Sequence, residues 1–231
     1  MLIEEMYSTA YDRSAVAVYV SQEDDTEALK RLLSPEERLQ LEGFRFEKRR
    51  REFVLSRAAA KLAISRIVSD APPDALSIRN GVLGYPYCEG AGQISISLSH
   101  TNTMACCIAS DRAYICGIDV ENVDPKHRTA MKEVLSENEK RMMPELSRDV
   151  ADTILWTAHE AVSKILMTGM TVSSELYEAE KVEYDPENNT FCGRYKALPQ
   201  YEFSGFYLPE RNLVSAAAYP QKSKMKITRY E

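Results

Sequence analysis

"LSENEK", Leu135–Lys140, repeats "LSPEER", Leu33–Arg38, at an offset of 102 residues, and both stretches read as helix starts. Ser34 is placed to cap, Pro35 suits the first helical position, and Glu37 falls three residues after the cap. Ser136 and Glu139 stand at the same spacing. In such a capping box the hydroxyl and the carboxylate each satisfy a backbone N–H that the helix itself leaves unpaired. Similar caps recur in unrelated proteins, so one echo decides nothing. What decides is the order of the matches that follow. "FVLSRAAAKLAIS" (Phe53 to Ser65) is answered by "WTAHEAVSKILMT" (Trp156 to Thr168) at an offset of 103, with the aromatic, the charged residue and the lysine in step. "SISLSHTNTMACCIAS" (Ser95 to Ser110) and "GFYLPERNLVSAAAYP" (Gly205 to Pro220) both read as strand, polar turn and small-residue strand. The openings, "SAVAVYVS" (Ser14 to Ser21) and "YICGIDVEN" (Tyr114 to Asn122), are both short and β-rich. The pattern predicts an α+β fold made by pseudo-twofold duplication of two similar α/β subdomains. The first is expected over residues 1–111 and the second over 112–231, with the active site between them.

The halves differ where chemistry is to be expected. Glu160 stands where the first half has Arg57, and Pro209 and Glu210 stand where it has Ser99 and His100. Ligand sites favour interfaces between such halves, and an asymmetric site with one set of residues from each is the expected product.

Composition excludes several classes. The 29 basic and 35 acidic residues leave a net charge of −6, so nothing draws the whole chain to nucleic acid or to an anionic membrane. Any anion site must be local. Five cysteines include no CxxC pair, which reads as a reduced set rather than a metal site or a disulfide framework. The first residues lack a basic region followed by a long apolar run, and no segment approaches the roughly 20 apolar residues that span a bilayer. A cytoplasmic protein is expected. No long heptad or exposed apolar stripe calls for an oligomer, so it is read as a monomer.

Four features carry candidate chemistry. In "GIDVENV" (Gly117 to Val123), Asp119 and Glu121 share one face of a strand while Ile118 and Val120 are expected to face the core. Two such carboxylates can share one cation, although alternating acids on a strand are usually a solvated face. In "ILWTAHEAVSKIL" (Ile154 to Leu166), Trp156, Glu160 and Lys164 are four apart and lie on one helix face, an arrangement that also describes an ordinary surface ion pair. His100 ends an apolar run where a turn begins, and there backbone N–H groups, the Ser99 hydroxyl and an imidazole proton can meet a phosphate. The segment "FRFEKRRREFVLSR" (Phe44 to Arg57) is a local basic patch in an acidic chain, and arginine forks suit terminal phosphates. No aromatic-interleaved basic surface accompanies it, which argues against nucleic acid. His127 and His159 sit in polar surroundings and receive no role.

Taken in order, "SLSH", "GIDVE" and "WTAHEAVSK" resemble the motifs of the 4'-phosphopantetheinyl transferases, and of the monomeric, two-halved type similar to the surfactin-synthetase activator in particular. "GYP", Gly84 to Pro86, is similar to that family's "GKP" turn, and the resemblance runs from about Leu33 to Tyr219. It implies the 4'-phosphopantetheinyl transferase fold and a Mg²⁺-dependent reaction that moves the phosphopantetheine arm of coenzyme A to a serine of an acyl or peptidyl carrier protein. It further implies that Asp119, Glu121 and Glu160 hold Mg²⁺, that Glu160 takes the serine proton, and that Lys164 stabilises the departing 3',5'-ADP. His100 and Ser99 would contact the nucleotide's phosphates, Gly84 and Pro86 would line the adenine pocket, and Arg51 would meet a phosphate. Tyr85 and His159 depart from the pattern by replacing lysines, as do Gln40 and Leu41 where some relatives are basic. The competing expectations are a Mg²⁺-dependent diphosphate hydrolase with the same acids, and a non-catalytic relative that only binds carrier or nucleotide.

Overall fold

A computed structural model of the chain describes residues 2–8, 13–68 and 72–229. In chain order the elements are β1 (Leu2–Ser8), β2 (Arg13–Ser21), α1 (Thr26–Arg31), α2 (Pro35–Glu42), α3 (Glu47–Ile67), β3 (Ser77–Asn80), β4 (Pro86–Glu89), β5 (Ile94–His100) and β6 (Met104–Asp111). They continue with β7 (Gly117–Asn122), α4 (Arg128–Val134), α5 (Arg148–Leu166), β8 (Ala179–Asp185), β9 (Thr190–Tyr195), β10 (Tyr201–Leu208), β11 (Leu213–Pro220) and β12 (Lys224–Arg229). The fold is mixed α and β, as the duplicated pattern predicts. The chain forms two compact units: Met1–Cys116 with Lys222–Glu231, and Gly117–Gln221. The first boundary thus falls at Gly117 rather than near 112, and the last residues belong to the first unit rather than the second. The cause is pairing, since β12 runs antiparallel to β1 and the Tyr114 hydroxyl bonds Ser223.

In the first unit an antiparallel sheet of order β12-β1-β2-β6-β5 is crossed by α3. Ala58, Ala59, Ala60 and Ala63 are fully buried on the helix, and their small side chains let it lie close on the sheet. Strands β3 and β4 form a separate ribbon. Glu37, from the predicted capping box at the start of α2, is buried and holds this unit together. Its carboxylate accepts the amides of Ser34 (2.9 Å) and Ile78 (3.0 Å), and it pairs with Lys61 of α3 at 2.5 Å and Arg57 at 3.6 Å. Lys61 is wholly buried and also donates to the Leu32 carbonyl at 2.8 Å. A charge so placed persists only because it is paired and hydrogen-bonded.

The second unit repeats the plan. Its antiparallel sheet has the order β7-β11-β10-β9-β8, with α5 lying across β7 and β11. Here the two strands after the long helix extend the main sheet instead of forming a ribbon. Helix α5 begins at Ser147, whose hydroxyl accepts the Val150 amide, and ends at Met167 in the left-handed region with φ 55°. Gly117 is where α5 and the sheet approach most demandingly, because a Cβ there would collide with the backbone carbonyl of Ala161. Gly117→Ala is therefore expected to destabilise this unit by on the order of 3 kcal/mol. Denaturant unfolding checks it, and a variant as stable as the parent would show that the helix can retreat freely.

Four of the five cysteines (Cys88, Cys106, Cys107 and Cys116) are buried, Cys192 is exposed, and all five are free thiols. Among the described residues, no helix is long and apolar enough to cross a membrane.

Candidate active site

Strand β7 turns Asp119 away from water and leaves Glu121 half-buried. Gly117 lies under Ala161 and the Lys164 ammonium reaches Asp119, so the face carrying residues 117, 119 and 121 is turned toward α5. Ile118 and Val120, on the opposite face, are also buried, so the strand is covered on both sides. The sequence pattern suggests a half-wet strand, because a strand buried on both faces with acids on one is indistinguishable from it by alternation alone. Asp119 is only 3% exposed.

The helix supplies the partners. Lys164 Nζ donates to Asp119 Oδ1 at 2.7 Å and to the Ile118 carbonyl at 2.9 Å. Trp156, on the same helix face, lies close enough to Glu121 to pull its carboxyl down. Glu160 lies between these two positions on the same helix face, close enough to feel the charges of Asp119 and Lys164. Burial, followed by the charge of Asp119, pushes Glu121 up to about 7 against the opposing pull of Trp156 and Lys164, and Glu160 adds to the rise. Burial and Asp119 also raise Glu160 above the ordinary carboxylate value. The result is three mutually repelling carboxylates with one ammonium among them.

This crowding has a thermodynamic consequence in the absence of divalent cation. A carboxyl whose folded pKa lies above its unfolded value holds its proton more tightly when folded. The Glu121 contribution is therefore complete below the ordinary value of about 4.3 and lost as pH rises through about 7. With chelator present, unfolding free energy is expected to fall by on the order of 2 kcal/mol across that window, and Glu121→Gln should flatten the slope. Chemical unfolding at a series of pH values measures both.

The expected coenzyme residues all fall in the first unit. His100 closes β5, next to Ser99, and its Nε2 lies 3.8 Å from Glu52 of α3. Arg51, the preceding residue of α3, donates through Nη1 to the Gln22 side chain at 3.1 Å. Glu52 also pairs with Lys48 and Arg49 of the preceding turn. Gly84 adopts φ 84° in the turn between β3 and β4, a conformation a side chain would strain, and Pro86 opens β4. The Tyr85 ring, standing where the motif has lysine, folds back over Gly81.

One residue that the sequence left without a role is buried against a carboxylate. His159 is fully buried, and its polar surroundings include Glu139, whose Oε1 lies 2.6 Å from Nε2. The available signal was the repeat itself, which made Glu139 the copy of Glu37 and so a buried carboxylate in need of a helix partner.

Residues 115–212, a little under half of the chain, match the model of the 4'-phosphopantetheinyl transferase superfamily. This segment contains Asp119, Glu121, Trp156, Glu160 and Lys164. Over this segment the chain is similar to that superfamily of transferases. Among solved structures it is similar to a holo-(acyl-carrier-protein) synthase from Bacillus anthracis strain Ames, crystallised in complex with CoA (3',5'-ADP). The likeness is at 20% identity over 48% of this chain and 97% of that one, with a TM-score of 0.37. No curated protein sequence matches the chain.

Proposed function

We propose that the protein transfers the 4'-phosphopantetheine arm of coenzyme A to a serine hydroxyl of an apo acyl or peptidyl carrier protein, with Mg²⁺ as cofactor. The observation that carries this reading is the meeting of Asp119, Glu121, Glu160 and Lys164 on the facing sides of β7 and α5, inside the segment that matches the superfamily.

The donor set suits Mg²⁺, a hard cation that takes oxygen ligands and is commonly held by a few carboxylates, water and substrate phosphates. The charge of Asp119 raises both Glu121 and Glu160, Glu160 adds to the rise at Glu121, and a divalent cation would relieve that repulsion. Among the described residues, no three acid, histidine or cysteine side chains already converge on one point. The assignment therefore rests on charge and donor chemistry. When bound, the ion neutralises charge on the diphosphate.

The chain's own residues account for the rest. Glu160, half-buried and more basic than an ordinary carboxylate, takes the proton from the serine hydroxyl, directly or through a water. The serine oxygen bonds to the phosphorus that carries pantetheine, the bridging P–O bond breaks, and 3',5'-ADP leaves. Lys164 places its ammonium beside the developing negative charge, one helical turn from Glu160. Ser99, His100 and Arg51 bind the phosphates, and Gly84 and Pro86 line the adenine pocket. The start of α3 exposes Arg45, Lys48 and Arg49 beside Phe46, a basic surface with an apolar point that suits an acidic helical carrier.

The test incubates the protein with Mg²⁺, coenzyme A and several apo carrier proteins, then weighs the carriers by mass spectrometry. A gain equal to one phosphopantetheine on the carrier serine is expected. No gain on any carrier would overturn the transfer, and release of 3',5'-ADP without a carrier would mark a diphosphate hydrolase instead.

A further inference from the structure

Each unit contains one buried capping-box glutamate that ties three elements together, but the two units spend their helix residues on it differently. In the first, Glu37 binds the Ser34 amide at the helix start, the Ile78 amide at the first strand after α3, and α3 itself through Lys61 and Arg57. In the second, Glu139 binds the Ser136 amide at 2.9 Å and the Ala179 amide at 2.8 Å, at the start of β8. Its link to the long helix, however, is His159. At the repeat offset of 103, Arg57 and Lys61 correspond to Glu160 and Lys164. The two helix positions consumed by the carboxylate in the first unit are therefore the two released toward Asp119 in the second.

His159 makes that release possible. It precedes Glu160 by one residue, about 100° around the helix, so a ring held against Glu139 leaves Glu160 and Lys164 turned elsewhere. The hold is firm. His159 is 0% and Glu139 1% exposed, and the shared Oε1 is fixed from a second direction by the Ala179 amide. Burial raises the Glu139 carboxyl, but the His159 hydrogen bond and charge and the two backbone amides outweigh it and keep the group below its ordinary value. The Tyr195 hydroxyl donates to the Ala158 carbonyl at 2.8 Å, anchoring the helix backbone one residue earlier.

We propose that the Glu139–His159 pair is a positioning element for phosphopantetheine transfer, setting the roll of α5 so that Glu160 and Lys164 face Asp119. The proposal rests on the transferase reading above. Outer partners that orient reacting groups are worth about 10- to 100-fold in activity, and misplacement of a base by about 1 Å costs a similar factor.

The test compares His159→Leu, which removes the link, with His159→Gln, which keeps a donor near the Nε2 position, and with Glu139→Gln. All three are first checked for folding by circular dichroism. With coenzyme A and an apo carrier, kcat of His159→Leu is expected to fall about 30-fold, with KM for coenzyme A within about threefold, while His159→Gln stays within about threefold in both. If His159→Leu does not fold, Glu139→Gln decides, with an expected loss in kcat of about tenfold. A readout independent of turnover comes from Trp156, the chain's single tryptophan, whose indole N–H gives one resonance and lies beside Glu121. That resonance should move in His159→Leu and return in His159→Gln. Unchanged kcat and an unchanged indole resonance in folded His159→Leu would overturn the proposal. Absence of transfer in the parent protein would overturn the transferase reading alone, leaving the resonance to decide the positioning.

Discussion

Glu160→Gln is expected to lower the rate of carrier modification at least about 100-fold, the lower range of what a positioned general base contributes. The substitution keeps the side chain's size and one oxygen but removes the capacity to take a proton. Coenzyme A binding, measured by calorimetry with Mg²⁺ present, is expected to weaken by less than about tenfold, since Glu160 shares its charge with two other carboxylates and Lys164 remains. The split between turnover and binding is the informative result. Near-normal rates would remove Glu160 from proton transfer and turn attention to a water held elsewhere. Equal losses in both would make it a ligand only.

Lys164→Met is the second large effect, and it acts on stability as well as rate. The Lys164 ammonium stands 2.7 Å from a carboxylate that is 3% exposed and lies within the field of two more. Removing one partner of a buried pair while leaving the other costs roughly 3 kcal/mol. The double variant Asp119→Asn with Lys164→Met removes both charges and should recover most of that loss without recovering transfer. Urea unfolding of the single and double variants tests this. If the single variant is as stable as the parent, other groups around Asp119 compensate its charge and Lys164 serves the substrate alone.

The repeat was legible because helix caps are written in short spacings. Ser34 with Glu37 and Ser136 with Glu139 announce themselves locally, and the structure forms both boxes, with each Glu side chain on the cap amide. The site was legible only in part. Glu160 and Lys164 share a helix face by arithmetic, and Asp119 and Glu121 share a strand face on β7 in the same way, whereas alternation alone cannot tell a wet face from one covered by a helix. His159 escaped for a related reason: nothing in "TAHEAV" says which side of α5 is buried against another segment's carboxylate. The return of β12 to the first unit is likewise a matter of pairing between strands at opposite ends of the chain.

By itself the sequence determined the repeated order of capping box, long helix and hairpin, the positions at which the two copies diverge, and the set of acids and lysine that could act together, although the second box heads only a 3-10 turn at Glu139–Arg141 and not the expected helix. These follow from local spacing, and local spacing is set by helix and strand periods. Only the tertiary structure decided which way those residues turn. Lys61 and Lys164 occupy equivalent places in the repeat, yet one is locked on Glu37 and the other faces Asp119. The physical reason is that a buried carboxylate must be satisfied by whichever cation or donor packing brings nearest, and in the second unit that donor is His159.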